Sequence, residues 1–148
     1  MNRAKRFTAK RRRSSGSKFK RGFYRPINEE KYKQPQNTYM NSGPIPEYRS
    51  SWELKLYKFL DGNPDVEWWS TEPFAIPYIS PKDNKPHRYF PDALVKFVDG
   101  RKFLIEVKPK SQIYDPIVQA KAYAAVEYCK QQGDDLKFIF MTEKELGV

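Results

Sequence analysis

The sequence predicts a small α/β domain in which a mixed central sheet is flanked by helices, preceded by a basic N-terminal arm. Three patterns support this fold class: an amphipathic helix over about residues 50–61, a hairpin around Asp99-Gly100, and a second helix that leads into the buried strand "LKFIFMT". The predicted order is helix, one or two strands, hairpin, helix and strand. A chain of 148 residues suits one ordinary domain and a tail.

The first predicted helix begins at serines that can cap it and ends at the turn sequence "DGNP". Its apolar residues Trp52, Leu56, Phe59 and Leu60 recur at helical spacing. The runs "VEWWST" and "FAIPYI" follow, and because both are rich in β-branched and aromatic residues, we expect two strands.

The clearest hairpin pattern joins "RYFPDALVKFV" to "RKFLIEVK" through Asp99-Gly100. We expect a two-residue turn there, because Asp-Gly readily adopts the positive φ angles that such a turn requires. The segment "DPIVQAKAYAAVEYCKQQG" then predicts a helix, with Pro116 in its first turn and Gly133 beyond its end.

The net charge of +10 is carried by the first third of the chain. Residues 1–48 contain 13 Lys and Arg against 3 Asp and Glu, whereas residues 49–148 contain 15 of each. A segment this charged and this poor in aliphatic side chains buries too little apolar surface to order itself. The predicted domains are therefore a disordered arm and linker over residues 1–47 and a folded domain over residues 48–148.

Aromatic residues are scattered among the bases of the arm, a composition that is typical of segments that bind nucleic acid. The alternative is a nonspecific solubility or packaging tail. The candidate DNA-binding residues are the basic side chains Lys5, Arg6, Lys10, Arg11, Arg12, Arg13, Lys18, Lys20, Arg21 and Arg25.

Composition excludes several classes of protein. No run approaches the roughly 18 apolar residues of a membrane span, and no secretory signal is present, so a soluble intracellular protein is expected. Cys129 and His87 are the only residues of their types, which excludes an internal disulfide and a structural zinc site. Any bound metal is therefore expected to have oxygen ligands.

A candidate site lies on the predicted hairpin. Side chains alternate along a strand, so Glu106 and Lys108 share one face, and Asp92 on the paired strand can reach toward Glu106. Two close carboxylates repel each other unless a cation such as Mg²⁺ binds between them, which makes a metal site a reasonable interpretation. The alternative is a solvated strand face with a cross-strand ion pair.

The pattern Pro-Asp, thirteen residues, then Glu-Val-Lys resembles the motif of the PD-(D/E)XK nuclease superfamily, whose core has the order αβββαβ. The helix start "RSSWE" is similar to a setting in which many members carry a metal-associated glutamate, which implies Glu53. The spacing of Gln119 and Tyr123 resembles the Q-x-x-x-Y pattern of the RecB-like branch.

The resemblance implies that one or two Mg²⁺ ions, for which Mn²⁺ can substitute, bind Glu53, Asp92, Glu106 and the carbonyl of Val107. Lys108 would orient the attacking water or stabilise negative charge, with Gln119 and Tyr123 in support. Alternatives stay open: Glu53 as a surface helix residue, Gln119 and Tyr123 as packing or surface residues, and His87 as a structural or DNA-contacting residue.

The blocks "NPDVEWWSTEPFAIPY" and "YFPDALVKF" are most similar to the head completion nucleases of T-even-type tailed phages. This implies a metal-dependent deoxyribonuclease that processes DNA ends before tail joining. DNA and phage head, portal or neck proteins would be its partners, in the infected bacterial cytoplasm or the virion. Alternatives are a branched-DNA endonuclease of the Holliday-junction type, a non-catalytic DNA-binding head protein with the same fold, and an adaptor whose arm docks on a protein shell.

Overall fold

A computed structural model describes residues 21–33, 45–133 and 135–148. The helices are α1 (Ser51–Gly62), α2 (Pro116–Gln132) and α3 (Glu143–Leu146), and single 3₁₀ turns lie at Glu29–Lys31 and Lys110–Gln112. The strands are β1 (Gly22–Phe23), β2 (Glu47–Tyr48), β3 (Val66–Thr71), β4 (Ile76–Ile79), β5 (Pro86–Tyr89), β6 (Ala93–Phe97), β7 (Lys102–Val107) and β8 (Leu136–Met141). Within this described part, no helix is long and apolar enough to cross a membrane.

The central sheet has the strand order β3-β6-β7-β8. The β3-β6 and β6-β7 pairs are antiparallel, whereas β7 and β8 are parallel. Parallel neighbours require a crossover connection, and α2 supplies it between β7 and β8. The predicted fold class, an α/β domain with a mixed sheet flanked by helices, is confirmed.

Both faces of the sheet are covered, and adjacent residues of β7 show this directly. Ile105 packs with Leu56, Leu60 and other residues on the α1 side, whereas Leu104 packs with Ala125 and other residues on the α2 side. Successive strand residues point to opposite faces, so the apolar residues of β7 contribute to the hydrophobic cores on both sides of the sheet. The strand that carries Glu106 is therefore fixed from both sides.

The predicted strand "RYFPDALVKFV" is two strands, which corrects the sequence interpretation. Residues 86–89 pair with β4 in a separate two-stranded sheet, and residues 93–97 pair with β7 in the central sheet. The break lies at residues 90–92. Pro91 has no N–H group to donate to a ladder, so the chain changes partners there.

The predicted two-residue turn at Asp99-Gly100 is wrong. Gly100 has φ +97°, but the only non-glycine residues with positive φ in the described chain are Glu72 and Asn84. Phe97 N–H donates to the Arg101 carbonyl over 2.8 Å, and Gly100 N–H donates to the Phe97 carbonyl over 2.9 Å. These bonds close a three-residue loop, which needs a positive φ at one position only.

Residues 21–33, predicted to be part of the arm, lie on the domain. β1 pairs with β2, and the carboxylate of Asp61, at the end of α1, is 1% exposed. It accepts hydrogen bonds from the Tyr24 hydroxyl and from the N–H groups of Ile27 and Asn28. The first 20 residues, with most of the basic side chains of the arm, are outside the described residues, and the boundary at residue 48 stays a prediction.

Candidate active site

Asp92 is fixed beside the strand that carries Glu106. It directly precedes β6, and its N–H donates to the Ile105 carbonyl over 3.0 Å. Its Oδ2 accepts a hydrogen bond of 2.7 Å from Val107 N–H. Since Ala93 pairs with Ile105, the register places Asp92 opposite Glu106.

Glu106 lies between two donors. Its Oε1 accepts a hydrogen bond of 2.6 Å from the Tyr89 hydroxyl, and its Oε2 is 3.3 Å from the Lys108 ammonium nitrogen. The second contact shows that Glu106 and Lys108 share a face, as two residues on one strand should. Tyr89, at the end of β5, is 4% exposed, so a buried ring directs its hydroxyl at the carboxylate.

Glu53 lies in the first turn of α1, where it takes part in a cap. Its N–H donates to Ser50 Oγ over 3.1 Å, while its own Oε1 accepts a 2.8 Å hydrogen bond from Arg49 N–H. This reciprocal bonding is similar to a capping box and gives Glu53 a structural role at one oxygen. Glu53 also lines a cavity of about 310 Å³ together with Val107 and Lys108.

The three carboxyl groups have raised pKa values. Burial is the largest cause for each of them. The charges of Glu106 and Glu53 raise the pKa of Asp92 further. Lys108 and the Tyr89 hydrogen bond oppose the rise at Glu106, since both favour its ionised form. The site therefore concentrates carboxylates that are costly to ionise without a cation.

The donor chemistry of the site fits a hard divalent cation. The described residues contain no group of three or more His, Cys, Asp or Glu side chains that could together hold a metal ion. Mg²⁺, however, usually binds one or two carboxylates and completes its shell with waters and substrate phosphates. Asp92 and Glu106 supply such a pair, and a hydrogen-bond donor orients each carboxylate, Val107 N–H at Asp92 Oδ2 and the Tyr89 hydroxyl at Glu106 Oε1.

Gln119 and Tyr123 lie on α2, and no hydrogen bond in the described residues joins either side chain to the three carboxylates. The Gln119 amide donates to the Ile113 carbonyl over 2.7 Å. Tyr123 is 71% exposed and lines a different cavity, together with Tyr78. Their predicted supporting role stays a prediction.

The other predicted residues lie on the surface or outside the described residues. His87 contacts Asp83 through Nε2 over 2.8 Å. Arg21 is exposed and pairs with Glu47 over 3.1 Å, and Arg25 is also exposed. The remaining candidate DNA-binding residues, Lys5, Arg6, Lys10, Arg11, Arg12, Arg13, Lys18 and Lys20, lie outside the described residues.

Sequence reasoning missed three residues at this site. The Tyr89 hydroxyl binds Glu106, and an ion pair of 3.0 Å joins Arg49 to Glu72 beside the cavity. Tyr89 and Arg49 belong to the quoted blocks "RYFPDALVKFV" and "RSSWE", so closeness to the motif residues was the one available signal. Glu72 gave no signal, because an acid just after a strand is common in loops.

A mixed sheet whose hairpin places Asp92, Glu106 and Lys108 together, opposite a helix start that carries Glu53, defines a nuclease domain of the PD-(D/E)XK class. The family model described as "TnsA-like endonuclease N terminal" matches residues 63–143, and the chain belongs to this family. Asp92, Glu106 and Lys108 lie inside the matched range, whereas Glu53 and the arm precede it.

A curated relative points in the same direction. The chain is 38% identical over 80 residues to the Head completion nuclease of Enterobacteria phage T4. The match covers 54% of this chain and 53% of that protein, so the chain spans about half the length of the relative. Together with the family match, this identity confirms the suspected relationship to phage head completion nucleases.

Proposed function

We propose that this protein is a metal-dependent DNA nuclease that hydrolyses phosphodiester bonds and processes DNA ends during phage head completion, before tail joining. The observation that carries the proposal is the placement of Lys108, 3.3 Å from Glu106, directly after the strand whose backbone also binds Asp92. Family membership and the T4 relative support the same activity.

Glu53, Asp92, Glu106 and the Val107 carbonyl would hold one or two Mg²⁺ ions, and Mn²⁺ would substitute. Asp92 and Glu106 are the central pair, since donors orient both carboxylates. When bound, a divalent cation offsets the charge of the scissile phosphate and lowers the pKa of the attacking water.

The side chains around the pair have separate roles. Tyr89 holds Glu106 at Oε1 and favours its ionised form. Lys108 provides a positive charge at the same cleft, where it would orient the attacking water or stabilise the charge that develops on the phosphate. The Val107 N–H fixes Asp92, so a substrate phosphate would meet an arranged set of groups.

The basic residues of the arm would contact the phosphate backbone of the same DNA. Such contacts position a protein without reading sequence, which suits an enzyme that acts on DNA ends. Phage head, portal or neck proteins would be further partners, and the place of action would be the assembling head in the infected bacterial cytoplasm.

Cleavage assays on DNA of different geometry test the proposal. The purified full-length protein is incubated with linear duplex, covalently closed circles and four-way junctions in Mg²⁺, Mn²⁺ or EDTA. Degradation of linear duplex in Mg²⁺ or Mn²⁺, but not in EDTA, is expected. Preferential cutting of junctions would favour the branched-DNA endonuclease instead. Binding of all three DNAs without cleavage in either metal would indicate a non-catalytic head protein.

A further inference from the structure

An ion pair between Arg49 and Glu72 borders the candidate active site. Arg49 Nη1 lies 3.0 Å from Glu72 Oε2, and the Glu72 side chain is only 12% exposed. The Arg49 side chain is 36% exposed and lines the cavity that also contains Glu53 and Lys108. A pair so sheltered is screened less by solvent than an ordinary surface ion pair.

Each partner of this pair is joined through its backbone N–H to a different acidic residue of the site, Arg49 to the side chain of Glu53 and Glu72 to the backbone of Asp92. The Arg49 N–H donates to Glu53 Oε1 over 2.8 Å. The Glu72 N–H donates to the Asp92 carbonyl over 3.1 Å. The ion pair therefore closes a chain of contacts from Glu53, at the start of α1, to Asp92, at the start of β6.

The backbone of Glu72, which connects Arg49 to Asp92, has an unusual conformation. Its φ is +43°, in the left-handed region that non-glycine residues seldom adopt. This conformation follows directly after β3, where the Glu72 N–H reaches Asp92 and its side chain reaches Arg49. Backbone outliers of this kind persist where surrounding contacts hold them, and they cluster at functional sites.

We infer that Arg49 and Glu72 are positioning residues whose ion pair sets the separation between Glu53 and Asp92, and thereby the affinity of the site for a divalent cation. The inference rests on the proposed function, because it takes Glu53 and Asp92 as metal ligands. Neither positioning residue is required to touch metal or DNA. The pair acts by holding a helix start and a strand start at a fixed distance.

Calorimetric titration of Mn²⁺ into the full-length protein tests the inference without a cleavage assay. Arg49→Gln and Glu72→Gln should each weaken Mn²⁺ binding by roughly ten- to a hundredfold, the usual effect of losing a group that orients a ligand. Arg49→Lys keeps the positive charge and should therefore lose less Mn²⁺ affinity than Arg49→Gln. The double variant should bind about as weakly as the worse single variant, because both changes break one pair.

Arg101→Gln is the matched control. Arg101 also forms an ion pair, with Asp99 over 2.8 Å, but it lies at the opposite end of the β6-β7 hairpin. The control should bind Mn²⁺ with wild-type affinity. Unchanged Mn²⁺ affinity in both Arg49→Gln and Glu72→Gln, with folding verified by thermal unfolding, would overturn the inference. A loss of Mn²⁺ affinity in the double variant that equals the sum of the two single losses, expressed as binding free energies, would also overturn the inference.

Amide hydrogen exchange in the metal-free protein provides a second readout. Arg49→Gln should accelerate exchange of the Glu72 amide, whose N–H donates to the Asp92 carbonyl, because the inferred positioning role requires the ion pair to hold Glu72 in place. In Arg49→Lys the Glu72 amide should exchange at an intermediate rate. An exchange rate equal to that of the wild type in both variants would contradict the inference.

Failure of the positioning role and failure of the proposed function are distinguishable. If the wild-type protein cleaves DNA but Arg49→Gln needs no more Mg²⁺ than the wild type, the positioning role fails and the nuclease activity stands. If the wild-type protein never cleaves, yet Arg49→Gln loses Mn²⁺ affinity and Glu72 amide protection, the proposed function fails and the positioning role stands.

Discussion

The carboxylate of Asp92 accepts a 2.7 Å hydrogen bond from the backbone N–H of Val107, the residue between Glu106 and Lys108. The strand that carries two candidate catalytic side chains therefore orients the third. This relationship makes the hairpin the centre of the site.

Removing either central carboxylate should separate catalysis from DNA binding. Asp92→Ala and Glu106→Ala are each expected to abolish metal-dependent cleavage while DNA affinity in EDTA stays nearly unchanged, because neither side chain serves the phosphate backbone. Gel cleavage assays and fluorescence anisotropy measure the two quantities. A wild-type cleavage rate in either variant would show that the substituted residue is not needed for catalysis.

The metal-free protein should gain stability from Asp92 as the pH falls. Burial, together with the charges of Glu106 and Glu53, raises the pKa of Asp92 in the folded state. Between the ordinary and the raised pKa, the folded state binds a proton that the unfolded state lacks, so this contribution is lost as pH rises through the window. Thermal unfolding in EDTA, measured between about pH 4 and about pH 8, follows the change.

Asp92→Asn is the control for this pH dependence. The amide cannot ionise, so the variant should be more stable than the wild type near neutral pH in EDTA, with the difference shrinking at lower pH. Groups with lowered pKa values, such as Asp61, contribute in both proteins and cancel in the comparison. A constant difference between the two proteins across the pH range would contradict the predicted shift.

Lys108 should act on the transition state more than on the metal. Lys108→Ala is expected to lower turnover by about a hundred- to a thousandfold, with Mn²⁺ affinity by calorimetry changed little. Lys130→Ala is a suitable control, because Lys130 pairs with Glu127 on the outer surface of α2. Weaker Mn²⁺ binding with normal turnover at saturating Mn²⁺ in Lys108→Ala would assign Lys108 a purely structural role.

Tyr89→Phe tests the hydroxyl that holds Glu106. Losing the hydrogen bond should raise the pKa of Glu106, so the acidic limb of the pH–rate profile moves to higher pH. The phenyl ring keeps the packing, and the stability cost should be about 1 kcal/mol. A pH–rate profile that superimposes on the wild-type profile would show that Glu106 is positioned by other contacts.

The arm should account for much of the salt dependence of DNA binding. Deleting residues 1–20 removes nine basic side chains and leaves the contacts of Asp61 with residues 24–28 in place. If about half of the nine bases engage phosphates, the slope of log affinity against log salt should fall by roughly 4. Equal slopes for both proteins in fluorescence anisotropy would show that the arm does not bind DNA.

The fold class and the carboxylate pair could be predicted because they depend on local patterns. Side-chain alternation from β7 into the next residues puts Glu106 and Lys108 on one face. The three-residue loop then sets the register that places Asp92 opposite Glu106, whereas the predicted two-residue turn would have placed Asp92 opposite Val107. The Tyr89–Glu106 and Arg49–Glu72 contacts could not be predicted, since they depend on how separate sheets and loops pack. The packing of residues 21–33 on Asp61 likewise joins groups more than 30 positions apart.

We propose that the carboxylate pair of Asp92 and Glu106 makes the protein a metal-dependent nuclease. The most direct measurement is cleavage of an end-labelled linear duplex by the full-length wild-type protein, first in EDTA and then after addition of excess Mg²⁺. We expect intact DNA in EDTA and cleavage once Mg²⁺ is in excess. Intact DNA under both conditions and after Mn²⁺ replaces Mg²⁺, or equal cleavage with and without metal, would contradict the claim.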